Sequence, residues 1–341
     1  MSVHIDSIAD ISRVLAQLRR TRTVASEGEI GSGARVATLN FIVFVDDPEH
    51  RPWVLERAQR IADKHPSRLI VLDGTSSGSG VDVSTSARQT AGATVINERV
   101  DVAVENLDHA SIRSLTQELT APDVPTVLWW SGARLLQSRT FKGLAELASG
   151  VLVDSSGKAR DEETIRELGE FVARFPNVAL SDLAFMRLLP WQDMIAQFFD
   201  DPALRESLFS LTSLRIESGS EAEALYLGAW LGSRLSWEVA DRDTFRTRDG
   251  RLIPFEKIQK GDQRRVLSVA LTSTDSRYLA ALSECDPGVA CLSVTGARAK
   301  PTWCMPLQSI DNTSLIERAI LQGGADRIFE TSLLTVRDLL G

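Results

Sequence analysis

VATLNFIVFVDDPEHRPWVLERAQRIADKHPSRLIVL, residues 36–72, decides how the first half of this chain is read. Residues 36–45 form an almost unbroken apolar run, the composition of a strand buried on both faces. Residues 52–64 open on proline and space their apolar positions as a helix, and residues 69–72 are a second buried strand. Strand, helix and strand in this order make a β-α-β unit.

The alternation continues outward. Past a Gly/Ser-rich surface loop at residues 74–80, the pattern predicts strands over 93–104, 124–130 and 151–153, with helices over 111–119, 135–148 and 162–175. This repeat predicts an α/β fold with a doubly wound, mostly parallel sheet in residues 35–160. Upstream, Ile8, Ile11, Leu15 and Leu18 lie at helical spacing and glycines follow through Gly33, so residues 1–34 are expected to be a helical arm and linker.

Residues 181–202, SDLAFMRLLPWQDMIAQFFDDP, carry more large apolar surface than one amphipathic helix requires. Pro190 has no N–H and biases Leu189 away from helical geometry, which predicts two short helices meeting there. Residues 161–210 are accordingly read as connecting helices. In the second half, 211–217 reads as a strand, and Ser220 with Glu223 as a capping box for a helix over 222–235. Extended segments at 237–245, 252–258, 265–271, 278–282 and 289–294 follow, broken by turns such as Asp249-Gly250. Helices at 314–322 and 326–340 would close an α+β domain with a mainly antiparallel sheet, residues 211–341.

Bulk properties narrow the function. The chain has 341 residues, 43% hydrophobic and 25% charged, the make-up of a folded globular protein with room for two cores. A formal charge of −8 with scattered basic residues argues against nucleic acid or an anionic membrane as partner. No window approaches the ~18 apolar residues of a membrane span. The N-terminus has no secretory pattern, and three cysteines make no disulfide framework, so a cytoplasmic location is expected.

The search for chemistry returns little. The four histidines, His4, His50, His65 and His109, have no metal-ligand spacing, and no metal or cofactor is expected. Gly74–Gly80 lacks the Lys-Ser/Thr ending of a phosphate loop, and Gly28, Gly31 and Gly33 precede a strand, the wrong order for a dinucleotide site. Asp154-Ser155-Ser156 lies at a strand end, where it reads as a helix N-cap. Trp129 and Trp130 end a strand and should face opposite sides of the sheet. Cys285 and Cys291 flank the turn Asp286-Pro287-Gly288 and would face each other across a hairpin, although free buried thiols are the expectation; Cys304 reads as a core strand residue. Gly228 and Gly232 allow close approach of a neighbouring element to their helix.

Four segments in order, HPSRLIVL from His65, VPTVLWW from Val124, VLVDSS from Val151, and SDLAFMRLLPWQDM with ALYLGAWLGSRLSW, resemble the glucose-6-phosphate dehydrogenase assembly protein family, OpcA. The resemblance implies a non-enzymatic assembly factor or allosteric activator that binds glucose-6-phosphate dehydrogenase in the oxidative pentose phosphate pathway. On the family's LWW and DL…R…W segments it places the partner-interface candidates Trp129, Trp130, Arg187 and Trp191. Photosynthetic relatives are associated with redox control through cysteines. This chain departs from those cysteine-richer relatives, and Cys285, Cys291 and Cys304 are its only candidates for a thioredoxin-type switch. The competing reading is a ligand-binding or catalytic α/β protein with a pocket at the strand ends near Gly74, Trp130 and Asp154.

Overall fold

In the computed structural model, which describes residues 2–5, 38–77, 81–90, 93–156, 161–261, 263–307 and 310–341, the 36–72 stretch yields a strand, a helix and a parallel strand. In chain order the elements of the first half are β1 (Ser2–Ile5), β2 (Asn40–Val45), α1 (Arg51–Lys64), β3 (Arg68–Asp73), β4 (Val81–Thr90), β5 (Ala93–Ala103), α2 (His109–Leu119), β6 (Thr126–Ser131), α3 (Arg139–Ala145), β7 (Gly150–Val153), α4 (Asp161–Arg174) and β8 (Ala179–Asp182). The strands form one sheet in the order β1-β4-β5-β3-β2-β6-β7-β8. β5, β3, β2, β6 and β7 are mutually parallel, β4 is antiparallel to β5, and β1 is antiparallel to β4. The five parallel strands, counted along the chain, stand third-second-first-fourth-fifth, so the winding reverses between β2 and β6.

The cause is local. Every residue of β2 and of β3 is buried, as strands covered on both faces must be. α1 carries Pro52 in its first turn and buries Val54, Ala58, Ile61 and Ala62, while Asp108 caps α2 by accepting from the Ser111 amide. The structure adds what the pattern did not predict. Residues 81–90 form β4, pairing with β5 along its whole length, and residues 2–5 of the expected helical arm form β1. The helical spacing of residues 8–18 and Gly28, Gly31 and Gly33 lie outside the described residues.

The second half contains α5 (Leu183–Met186), α6 (Leu189–Phe198), α7 (Pro202–Arg205), a 3-10 turn (Glu206–Ser210), β9 (Leu211–Ser218), α8 (Glu221–Arg234), β10 (Glu238–Asp241), β11 (Thr244–Arg246), β12 (Leu252–Gln259), β13 (Val266–Ser273), β14 (Ser276–Leu282), β15 (Val289–Gly296), β16 (Lys300–Pro306), α9 (Asn312–Leu321) and α10 (Arg327–Leu340). Its sheet runs β10-β11-β12-β9-β13-β14-β15-β16, antiparallel except for the β12–β9 pair. The chain is thus mixed α/β, with one mostly parallel and one mostly antiparallel sheet.

Two short helices form as expected, but Leu189, expected to leave helical geometry, is the first residue of α6: Pro190 sits in that helix's first turn, where its missing N–H would have no intrahelical partner anyway, and the break falls at Arg187 and Leu188. Phe185 packs on Tyr226 and Phe329, and Phe198 on Tyr278 and Trp303, so both short helices serve the core of this half. On α8 a Cβ at Gly228 would lie 2.3 Å from the Phe255 ring and one at Gly232 3.0 Å from Phe245. Only glycine permits that approach. The expected Ser220–Glu223 box does not form: the Ser220 hydroxyl donates to Asp161, which also accepts from the Ala222 amide.

Two units emerge, one of Met1–Val153, Phe175–Leu180 and Ile316–Gly324, the other of Asp154–Arg174, Ser181–Leu315 and Ala325–Gly341. The closing helices therefore part company. Most of α9 belongs to the first unit, where Glu317 accepts from Lys64 at 2.8 Å and lies 2.7 Å from the His65 ring, whereas α10 belongs to the second.

Candidate functional site

Among the described residues, one place in each unit brings together the residues that the sequence singled out. In the first unit it is the C-terminal edge of the parallel sheet, where the winding reverses and α/β proteins place ligands. Phe44 at the end of β2 and Trp130 at the end of β6 stack there, ring centroids 4.0 Å apart and 5° from parallel. Phe141 of α3 closes on the indole edge-on at 5.1 Å, and Trp130 Nε1 donates to the Arg134 carbonyl at 2.9 Å. A Cβ on Gly132 would come within 2.7 Å of the same indole, so the loop lies directly against it. Trp130 is 2% exposed. Trp129, its neighbour, points the other way against Phe41 and Trp53, as strand alternation requires.

The first strand-to-helix turn at this edge is Asp46-Asp47-Pro48-Glu49, all exposed. Asp47 Oδ1 accepts from the Glu49 and His50 amides at 2.9 and 3.4 Å, and Asp46 accepts from the Ala133 amide at 3.1 Å. Asp73, ending β3, receives Arg51 Nε at 2.7 Å and the amide and hydroxyl of Thr75 at 2.9 and 2.7 Å. Burial pushes the Asp73 carboxyl up, but the Thr75 bonds and the Arg51 charge outweigh it and hold it below the usual range. This edge presents carboxylates, already bonded to the chain, where an anion-binding turn presents free amides.

In the second unit the concentration is an interior polar network around Arg187, the lone cation of an otherwise apolar 183–191 stretch. Its guanidinium donates to Asp154 at 2.8 and 3.1 Å, to Glu223 of α8 at 3.1 and 3.2 Å, and to the Ser156 hydroxyl. Arg264 adds a bond to Asp154 at 3.4 Å from the rim. Beside this, Asp182 accepts from the Ser155 and Ala184 amides at 3.0 and 2.9 Å and from the Tyr226 hydroxyl at 2.8 Å. Glu223 has 0% exposure and Asp182 1%.

Such burial sets the protonation. Asp154 is pushed up by desolvation, yet the neighbouring Arg187 charge and hydrogen bonds, helped by Arg264, hold it below the ordinary carboxylate value. Asp182 has no cation of its own; burial, then the negative charge of Asp154, pushes it up to about 6. Burial likewise raises Glu223 and Tyr226. The network ties α5 and α8 to the end of β7 around one guanidinium.

Trp129, Trp130 and Trp191 are 2–3% exposed and pack in the cores of their units. Arg187 is committed to Asp154 and Glu223. Asp154, read as a helix N-cap, is instead the ion-pair partner of Arg187. The cysteine expectations are corrected: Cys291 and Cys304 are disulfide-bonded, while Cys285 is the exposed free thiol. The reason is register, since Cys291 and Cys304 are direct cross-strand partners on β15 and β16 with Cα atoms 4.0 Å apart. Cys304 is also exposed, not a core residue. The network residues Asp182, Glu223 and Tyr226 escaped sequence reading. The available signal was Arg187 itself, because a cation inside an apolar run requires buried anions. Among the described residues no group of three or more His, Cys, Asp or Glu is placed to hold a metal, and no helix is long and apolar enough to cross a membrane.

Comparison with known proteins adds family and fold. A family model for the glucose-6-phosphate dehydrogenase subunit N-terminal domain matches residues 58–170, and the model for the C-terminal domain of that subunit matches residues 178–333. A candidate OxPP cycle protein OpcA of Synechococcus elongatus is 26% identical over 307 residues, covering 81% of this chain and 68% of that protein. The corresponding candidate of Synechocystis sp. is 31% identical over 188 residues, 53% of this chain, and this chain spans only 39% of its length. In fold, the chain is similar to the 3-ketoreductase KijD10 of Actinomadura kijaniata, solved with NADP and TDP-benzene, at 11% identity and TM-score 0.51, covering 89% of this chain and 95% of that one. A dinucleotide does not fit the residues present here: the glycine-rich phosphate turn is replaced by Asp46-Asp47-Pro48-Glu49, the Asp73 carboxylate is bonded to Arg51 and Thr75, and Trp130 with Phe44 fills the reversal point.

Proposed function

Because the chain belongs to the OpcA family, whose two domain models match it in order over 58–170 and 178–333, we propose that it is a non-enzymatic assembly factor and allosteric activator of glucose-6-phosphate dehydrogenase. The ordered match of both domains carries this reading. Support comes from the sheet edge, where the chain's own aromatic rings and carboxylates occupy the strand ends at which α/β proteins place ligands.

A protein of this kind activates by binding the active form or assembly of the dehydrogenase more tightly than the inactive one. Couplings of that type are ~1–3 kcal/mol, a ~5–150-fold change in an equilibrium constant. The test is the initial rate of the same organism's glucose-6-phosphate dehydrogenase across substrate concentrations, with and without this protein, in reducing and oxidising buffer. A saturable rise in rate, or a fall in half-saturating substrate, is the expected result. An unchanged rate together with separate elution of the two proteins refutes the proposal.

A further inference from the structure

In an open α/β sheet the strand ends beside the reversal of winding form a crevice, and such folds bind nucleotide and flavin ligands there. In this chain the reversal falls between β2 and β6, and Phe44 and Trp130 are direct register partners on those two strands, each one residue before its strand ends.

The contacts around the Trp130 indole are those of a bound ring. One face lies on Phe44 with centroids 4.0 Å apart, Phe141 meets it edge-on at 5.1 Å, and the ring nitrogen donates to the Arg134 carbonyl at 2.9 Å. Gly132 brings bare backbone against it: a Cβ there would fall 2.7 Å from two indole carbons and 3.0 Å from the Phe44 ring. Proteins hold a free base in the same manner, stacked on aromatic side chains and hydrogen-bonded along its edge. The loops follow the ring. The chain leaving β6 lies against the indole, and its Ala133 amide donates to Asp46 of the turn after β2 at 3.1 Å.

We propose that Trp130 is the resident ligand of this switch point: the crevice for a flat aromatic is built into the fold, and the chain's own indole fills it. The indole orders residues 46–49 and 132–134 as a bound ligand would, and it closes the position to any ring from solution. The acidic turn Asp46-Asp47-Pro48-Glu49 agrees with this, because a ring supplied by the chain brings no phosphate to be met.

Two measurements on the full chain test it. Wild type titrated with NADPH, followed by the fluorescence of the nucleotide, should show no saturable binding up to about 1 mM. Trp130→Ala should open a cavity on the order of the ~150 Å³ that takes up benzene in an engineered core, and free indole should enter it. At ten times its dissociation constant indole shifts the folding equilibrium about elevenfold, a rise of a few degrees in melting temperature. In the same variant the Ala133 amide should exchange with deuterium at least about tenfold faster than in wild type, and indole should restore its protection. Trp129→Ala is the control: that indole points away, against Phe41 and Trp53, so its loss should leave exchange at Ala133 near wild type. Should Trp130→Ala fail to fold, Phe44→Ala removes the stacking ring alone and should speed exchange at Ala133 in the same sense. Saturable NADPH binding to wild type overturns the proposal. So does a folded Trp130→Ala whose Ala133 amide stays protected, or one that does not respond to indole.

Discussion

Replacing Arg187 by Met removes the one guanidinium that serves both Asp154 and Glu223. The side chains of the three residues are 15%, 19% and 0% exposed, so the carboxylates left behind have little access to water. Removing one partner of a buried ion pair typically costs about 3–5 kcal/mol, because the survivor is desolvated and uncompensated. Against a total stability of ~5–15 kcal/mol this is a large loss. The pH dependence identifies the cause. In the wild type Asp154 titrates below its ordinary value, so its contribution is present at neutral pH and is lost as pH falls through that lowered value. Without Arg187 burial raises Asp154 instead, and protonating it at low pH relieves the variant. The gap between wild type and Arg187→Met should therefore be widest near neutrality and narrow towards pH 4. Denaturant unfolding followed by circular dichroism at a series of pH values measures it, with Arg187→Met/Glu223→Gln as a partial rescue. A gap under about 1 kcal/mol at pH 7, or one that ignores pH, would refute the reasoning.

Asp182 supplies the opposite sign: its folded-state value of about 6 exceeds the ordinary 3.8, so its contribution is full below pH 4 and is lost as pH rises towards 6. Asp182→Asn should abolish that decline, gaining on the order of 2–3 kcal/mol relative to wild type between pH 4 and pH 7 in paired denaturation curves. Gly228→Ala should destabilise by about 1–3 kcal/mol, since the new methyl falls 2.3 Å from Phe255; an unchanged melting temperature would contradict the packing described. Reduction of Cys291–Cys304, 13 residues apart, should lower stability by about 3 kcal/mol in the chain-entropy model, and Cys291→Ala/Cys304→Ala should be insensitive to reductant.

What the sequence made legible was whatever nearest-neighbour chemistry controls. The apolar runs of β2 and β3, the two short helices near Pro190, the opposed indoles of Trp129 and Trp130 and the close approach at Gly228 each depend on a few adjacent residues. The strand β4 hid because VDVSTSARQT carries too few apolar residues to look half-buried; its partner β5 is what makes it a strand. Cys291 was set against Cys285 across a turn, but the pairing that occurs is decided by the β15–β16 register. The Arg187 network was beyond local reading for the same reason: Asp154 and Glu223 stand 33 and 36 residues away along the chain, and Glu223 had a plausible local use in a capping box.

The two units are interleaved along the chain, and that orders events on the ribosome. The first unit still lacks Phe175–Leu180 and Ile316–Gly324 when Val153 has been made. At ~5–20 residues per second, roughly ten seconds or more of synthesis separates its first core from its last segment, with Lys64 and His65 awaiting Glu317 throughout. Neither unit corresponds to a fragment obtainable by cutting the chain once, so a nascent chain that stalls, or a gene truncated between the units, leaves the parallel sheet short of a strand and exposes an apolar edge to its neighbours.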